Sequence, residues 1–295
     1  MQSMRASLLS KSLSSDTMID ITQIVYDDVS RALAEDVGSG DLTAHLIPDH
    51  QQAQACIISR ESAIVCGLAW AESCFKQIDS HLEIDWLVDE GNHTGPNQPL
   101  CRISGNARAM LTAERTALNF LQSLSATATL TRKYVDAVIG SHARILDTRK
   151  TIPGLRQAQK YAVTVGGGMN HRIGLYDGIL IKENHIAAAG SIRAALSNAA
   201  AIHRNVPIQI EVENLGELQE ALAGGATSIL LDNFSTSELA EAVRITHGRA
   251  LLEASGGITL DNVRAIALTG VDRISVGSLT KNIQAIDLSM RFTSP

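Results

Sequence analysis

RILDTRKTIPGLRQAQKYAVTVGGGMNHRIGLYDGILIKENHI, running from Arg144 to Ile186, is the stretch whose reading decides the fold. In it two short apolar runs, Ile145-Leu146 and Ile179-Leu180-Ile181, break off into charge. Asp147-Thr148-Arg149-Lys150 follows the first and Lys182-Glu183-Asn184-His185 follows the second. Short apolar runs bounded by polar turns fit strands buried on both faces, as in a parallel sheet. With the helix-like segment between them they make a βαβ unit, in which both strands deliver cations at their C-terminal ends. Arg149, Lys150, His171, Arg172 and Lys182 thereby converge on one sheet edge beside the glycines Gly166 to Gly168. One such Arg or Lys is an ordinary solvated strand-end charge. Five together, on a chain of net charge −6, predict a local site for a polyanion.

Downstream the same unit repeats. Candidate strands lie at Arg144–Asp147, Gly178–Lys182, Pro207–Glu213, Ser228–Asp232, Ala250–Glu253 and Arg273–Val276. Helical segments fill the gaps, among them Leu215–Ala223 and Ser237–Thr246, the latter after an N-cap-like Ser-Thr-Ser. The strand ends are roughly 20 to 35 positions apart, which suits one strand, one helix and two short loops per unit. Repeated right-handed βα units curl into a barrel with functional groups at the C-terminal rim. Six units instead of eight predict an α/β protein with an open or shortened C-terminal barrel.

Upstream the pattern differs. Residues Ile21 to Ala34 carry helical apolar spacing. From Ala53 to Leu100 short β-rich runs alternate with Gly, Pro and Asn clusters, and one helix is expected from Gly67 to Ile78. Strands with segregated helices predict an α+β domain. Leu111 to Ala137 reads as two helices broken near Ser123 to Thr127. The expected division is a flexible lead-in over 1–20, an α+β domain over 21–117 with 285–295 as a candidate addition, and the barrel over 118–284.

Hydrophobic content of 45% and charged content of 19% argue for a packed globular chain and against disorder. The negative balance excludes a general nucleic-acid surface, and no apolar run reaches the roughly 18 residues that span a bilayer. Cys56, Cys66, Cys74 and Cys101 show no CxxC spacing. Reduced, mostly buried thiols and the lack of a secretory pattern in the first 20 residues lead us to expect a cytoplasmic protein.

Around the predicted rim the charge is graded. The first two strands end in cations, the next two in Glu211 and Asp232, and the last two in Ser255-Gly256-Gly257 and Gly277. Two carboxylates one βα unit apart can hold a ribose diol or help hold Mg²⁺. Glycine turns before helices let backbone N–H groups surround phosphate oxygens. No Ser-His-Asp set and no Cys or HxxxH cluster points to hydrolysis or a tightly held transition metal.

The wording DTRKTxPGLR from Asp147, GGGxNHRxGLxD from Gly166 and LIKENH from Leu180 resembles the quinolinate phosphoribosyltransferase family, also called nicotinate-nucleotide pyrophosphorylase (carboxylating). EDxGxGDLT from Glu35 and LTAERTALNFLQ from Leu111 extend the likeness over most of the chain. Glu183 stands where the family usually has Asp, and Ala126 where it has Gly. The resemblance implies transfer of phosphoribosyl from phosphoribosyl pyrophosphate to quinolinate with decarboxylation, in de novo NAD synthesis. It implies Mg²⁺ near Glu211 and Asp232, and catalytic roles for Lys150, Lys182, Glu211 and Asp232. Arg149, His171, Arg172 and Lys182 would grip the carboxylates, Lys150 and Lys182 the pyrophosphate, and Ser255, Gly256, Gly257 and Gly277 the 5-phosphate. Arg115 would reach the partner's barrel in a homodimer or higher oligomer. The residues alone leave open a related transferase for another aromatic acid or base, and a non-catalytic phosphate sensor.

Overall fold

The computed structural model describes residues 21–202 and 205–293, so the expected lead-in over 1–20 lies outside the described residues. The chain packs as two compact units. Of the described residues, one comprises 21–132 together with 151–167 and 278–293; the other comprises 133–150 and 168–277.

In the first unit a four-stranded antiparallel sheet is built from β1 (Gln52–Ser59), β3 (Glu83–Trp86), β5 (Pro99–Asn106) and β12 (Leu288–Thr293), in the order β12-β1-β5-β3. Among the described residues the last strand thus pairs with the first. A two-stranded ladder joins β2 (Ala63–Ile64) to β4 (His93–Thr94). On β1, Ala55, Ile57 and Ser59 are buried while the residues between them are only partly so, the period-two pattern of a sheet with one face on the core. Helix Leu68–Ile78 buries Trp70, Ala71, Cys74 and Phe75, one stripe at helical spacing.

The expected break between Leu111 and Ala137 is absent. Ala107–Ala137 is a single helix of 31 residues. Its hydroxyl side chains fold back instead of interrupting it. Ser123 donates to the Asn119 carbonyl at 2.6 Å and Thr131 to the Thr127 carbonyl at 2.8 Å. Ser125 accepts the Cys66 N–H at 2.9 Å and so ties the helix to the loop ahead of Leu68. Met110, Ala113, Ala117, Leu121, Leu124 and Ala128 form the helix's buried stripe.

Helix Arg156–Val165, read from sequence as the crossover between the first two barrel strands, belongs to this first unit; its Ala158 and Ala162 join the core around Trp70. The glycine after it is a packing residue. A Cβ on Gly166 would stand 2.5 Å from the Ala128 carbonyl oxygen and 2.6 Å from Thr131 Cβ. The start of the triple glycine is therefore set by close helix approach, not by an anion.

The second unit holds six parallel strands: β6 (Arg144–Leu146), β7 (Ile179–Ile181), β8 (Ile208–Val212), β9 (Ser228–Asp232), β10 (Leu251–Ser255) and β11 (Arg273–Ser275). Their order is β6-β11-β10-β9-β8-β7. The first strand therefore closes onto the last, while β6 and β7, consecutive in the chain, do not pair. This is a barrel opened at one seam. On the free side of β6, Met169 makes a parallel bridge to Leu146. All six strands lie where the apolar runs placed them, and Ser235 caps helix Thr236–Thr246 with Glu238 completing the reciprocal box.

Candidate active site

The C-terminal ends of the six strands carry three kinds of chemistry. Past β6, Arg149 is partly buried, and its Nε has no hydrogen-bond partner among the described residues. Arg172 is close enough for the two guanidiniums to repel. Burial first, and then Arg149, lower the Arg172 pKa from the usual arginine value, while Asp177 opposes both. Arg172 Nη1 donates to the Gly178 carbonyl at 3.1 Å, and Asp177 accepts the N–H groups of Ile173 and Gly174 at 2.7 and 2.9 Å. The loop is thus locked so that two like charges stay adjacent. A buried donor without a partner beside a second cation is chemistry suited to a multiply charged anion.

His171 lies just before Arg172 and is held from several sides. Buried Asp147 accepts its main-chain N–H at 2.8 Å. Its Nδ1 accepts the Arg172 N–H at 2.8 Å, and its Nε2 lies 2.9 Å from Gln209 Oε1. Gln209 Nε2 in turn donates to Glu253 Oε2 at 3.0 Å.

Next around the rim, Lys182 follows β7, and its Nζ donates to both oxygens of Glu211 on β8, at 2.9 and 2.6 Å. The His185 ring accepts the Lys182 N–H at 3.0 Å, which fixes the turn into helix Glu183–Ala189. Glu211 is in register with Leu230, so Asp232, two residues further along β9, projects to the same face. Asp232 accepts from Asn233 Nδ2 at 2.8 Å.

The last sector is the glycine-lined one. Asn233 adopts a left-handed conformation (φ 59°), and its N–H donates to the Ser255 carbonyl at 2.9 Å. A Cβ on Gly256 would lie 2.1 Å from Asn233 Oδ1, so this glycine makes room for Asn233. Gly257 (φ 59°) faces open space, with no atom within 4 Å of a Cβ there. Lys150 crosses over Gly277, its Cδ 3.1 Å from where a Cβ would be.

The structure thus brings Arg149 beside Arg172, Lys182 onto Glu211, Lys150 over Gly277, and Asp232 next to the Ser255–Gly257 turn. Arg115 is exposed on helix Ala107–Ala137 in the other unit. Residues not singled out from sequence are Gln209, Asn233, Asp147 and Glu253. Glu253 carried a signal, being the one charge inside the apolar run Leu251-Leu252-Glu253-Ala254; taking it for a strand end concealed it.

An open parallel barrel with adjacent cationic, acidic and glycine-lined sectors at its strand ends is the architecture of an enzyme for phosphorylated, polyanionic substrates. Residues 127–291 match the family model for the quinolinate phosphoribosyl transferase C-terminal domain, and 41–125 match the model for its N-terminal domain. A probable nicotinate-nucleotide pyrophosphorylase (carboxylating) of Bacillus subtilis is 42% identical over 88% of this chain and 90% of its own. The solved structure of the nicotinate-nucleotide pyrophosphorylase from Francisella tularensis superposes with a TM-score of 0.90 at 47% identity, covering 92% of this chain and 97% of that one. That of the Ehrlichia chaffeensis protein superposes with a TM-score of 0.88 at 40% identity, over 94% and 100% of the two chains. The chain belongs to the quinolinate phosphoribosyltransferase family and is a phosphoribosyltransferase of NAD biosynthesis.

Proposed function

We propose that the protein joins quinolinate to the ribose of phosphoribosyl pyrophosphate at this rim, releasing pyrophosphate and CO₂ and leaving nicotinate mononucleotide. The observation that carries this reading is the Arg149–Arg172 pair, with the unsatisfied buried Arg149 Nε, beyond β6, whose paired strand β11 runs on to Gly277. Quinolinate is a dicarboxylate, and two forked guanidiniums suit it better than they suit a monocarboxylate.

The chemistry needs no strong base from the protein. The pyridine nitrogen uses its own lone pair to attack ribose C1 as the C1–O bond to pyrophosphate breaks. Both reactants are anions, so the work of the site is to hold them together and to stabilise the departing charge. Arg149, Arg172 and Lys182 hold the carboxylates, with His171 among them. Lys150 faces the pyrophosphate, Glu211 and Asp232 the ribose hydroxyls, and Ser255, Gly256, Gly257 and Gly277 the 5-phosphate. After transfer, the ring nitrogen is quaternary and draws the electrons left as the neighbouring carboxylate departs as CO₂; that carbon then takes up a proton.

Mg²⁺ fits the same face. Among the described residues no three His, Cys, Asp or Glu gather into a metal cage. Glu211 and Asp232 would hold the ion together with substrate oxygens and water, which is how Mg²⁺ is usually bound. It would neutralise phosphate charge. Arg115, exposed on its helix, is suited to complete the site of a partner subunit in a homodimer or larger assembly. A cytoplasmic location accords with the four free cysteines. No described helix is long and apolar enough to cross a membrane.

The test is incubation with quinolinate, phosphoribosyl pyrophosphate and Mg²⁺, following CO₂ and pyrophosphate. Equal release of both, abolished by excess chelator, is the expected result. Binding without turnover would favour a sensor.

A further inference from the structure

Glu253 sits in the middle of β10, 1% exposed, with Arg273 as its register partner on β11. One carboxylate oxygen accepts from Gln209. The other, Oε1, has no hydrogen-bond partner among the described residues and lies 3.6 Å from His171 Nε2. A buried carboxylate oxygen left unsatisfied is destabilising, so fold stability alone gives no reason for an acid here.

The chain of contacts supplies one. The Arg172 main-chain N–H can only donate, so in this arrangement His171 Nδ1, 2.8 Å away, is the acceptor, and the arrangement holds only while Nε2–H also has an acceptor. A neutral ring then carries its proton on Nε2 and needs an acceptor there. Gln209 offers either an oxygen or an NH₂ group, depending on which way its amide is turned. Glu253, a carboxylate, only accepts. It therefore forces the Gln209 NH₂ toward itself and the Gln209 oxygen toward His171.

We infer that Glu253 is a positioning residue: through Gln209 it fixes the Nε2–H tautomer of His171, and His171 Nδ1 in turn holds the main chain of Arg172 in its substrate-binding place. The substrate side of this inference rests on the function proposed above; the tautomer side does not.

The test uses the full-length protein labelled with ¹⁵N-histidine, and His171 signals are assigned by comparison with His171→Asn. Wild-type protein without substrate is expected to show a single Nε2–H ring. An Nδ1–H ring or a mixture overturns the inference, whatever the variants do. Glu253→Gln preserves size and removes a buried charge, so it is expected to fold with Tm unchanged or raised. It should lose the single tautomer and raise KM for quinolinate about tenfold, roughly the worth of one hydrogen bond to a charged group, with KM for phosphoribosyl pyrophosphate within about twofold. Gln209→Glu combined with Glu253→Gln puts an acceptor-only group against His171 again. This exchange should restore the tautomer and bring KM back to within about threefold of wild type. An unchanged tautomer and KM in Glu253→Gln, or a loss that the exchange does not repair, contradicts the inference. If wild-type protein shows the tautomer but does not turn over quinolinate, the proposed function fails and the tautomer result stands.

Discussion

Lys182 Nζ donates to both carboxylate oxygens of Glu211, so a two-point cation–anion contact joins the end of β7 to the end of β8. The pair is only partly shielded, with the Lys182 side chain 43% exposed and that of Glu211 11%. Its worth to the fold is therefore small. Its expected worth to the proposed reaction is larger, because an ammonium held in place needs no rearrangement when charge develops on a departing group.

Lys182→Ala is accordingly expected to lower kcat by roughly 10²–10³, with Tm nearly unchanged. Steady-state rates with both substrates saturating, beside a thermal melt, check this. Near-normal kcat would remove Lys182 from the catalytic set.

The two neighbouring glycines of the Ser255 turn should behave differently. Gly257→Ala places a methyl group in open space, at a left-handed residue where the strain is roughly 1–2 kcal/mol. Its main effect should be a raised KM for phosphoribosyl pyrophosphate. Gly256→Ala drives a carbon into Asn233 and should be the more destabilising of the two. Equal Tm losses, or an unchanged KM in Gly257→Ala, would remove the phosphate cradle from this turn.

Away from the site, burial raises the Asp28 pKa, opposed by the Trp70 indole N–H at 3.1 Å and by Arg31. A carboxyl whose folded pKa lies above its unfolded value contributes its stability in full below the unfolded pKa, and that stability is lost as pH rises through the folded pKa. Asn at this position keeps an oxygen for Trp70 and does not ionise. The Tm of Asp28→Asn relative to wild type is therefore expected to improve between about pH 3 and about pH 7. A difference that stays flat, or moves the other way, contradicts the assigned cause.

Arg115→Ala and Lys182→Ala should each be nearly inactive, since truncating a charged partner of a desolvated anion costs roughly 2–5 kcal/mol. If Arg115 serves the partner's site, a mixed dimer of the two variants rebuilds one intact site. Refolding an equal mixture should then recover about a quarter of wild-type activity. Confirmed mixed dimers without recovery would confine Arg115 to its own chain.

The strands of the barrel were legible because a parallel strand buried on both faces must be a continuous apolar run, as Ile229-Leu230-Leu231 is; Ile179–Ile181, at the open edge, is equally apolar but only Ile181 is fully buried. Rim charges were legible because each such run ends abruptly. The unbroken helix Ala107–Ala137 was not, since Ser and Thr favour helix ends locally and only their bonds to carbonyls four residues back show that they sit inside one. Nor was the packing role of Gly166, which depends on a helix about 38 positions earlier in the chain. The Gln209–Glu253 contact was hidden for the same reason. It joins residues 44 positions apart, and the odd charge of Glu253 within its apolar run does not tell which residue it meets.

On the proposed reaction, the Arg149–Arg172 corner serves a dicarboxylate. This is tested most directly by comparing kcat/KM for quinolinate and for nicotinate in the wild-type protein. Loss of one charged contact predicts a preference for quinolinate of at least about 10², with CO₂ released once per pyrophosphate. Turnover of nicotinate at a comparable kcat/KM would contradict it.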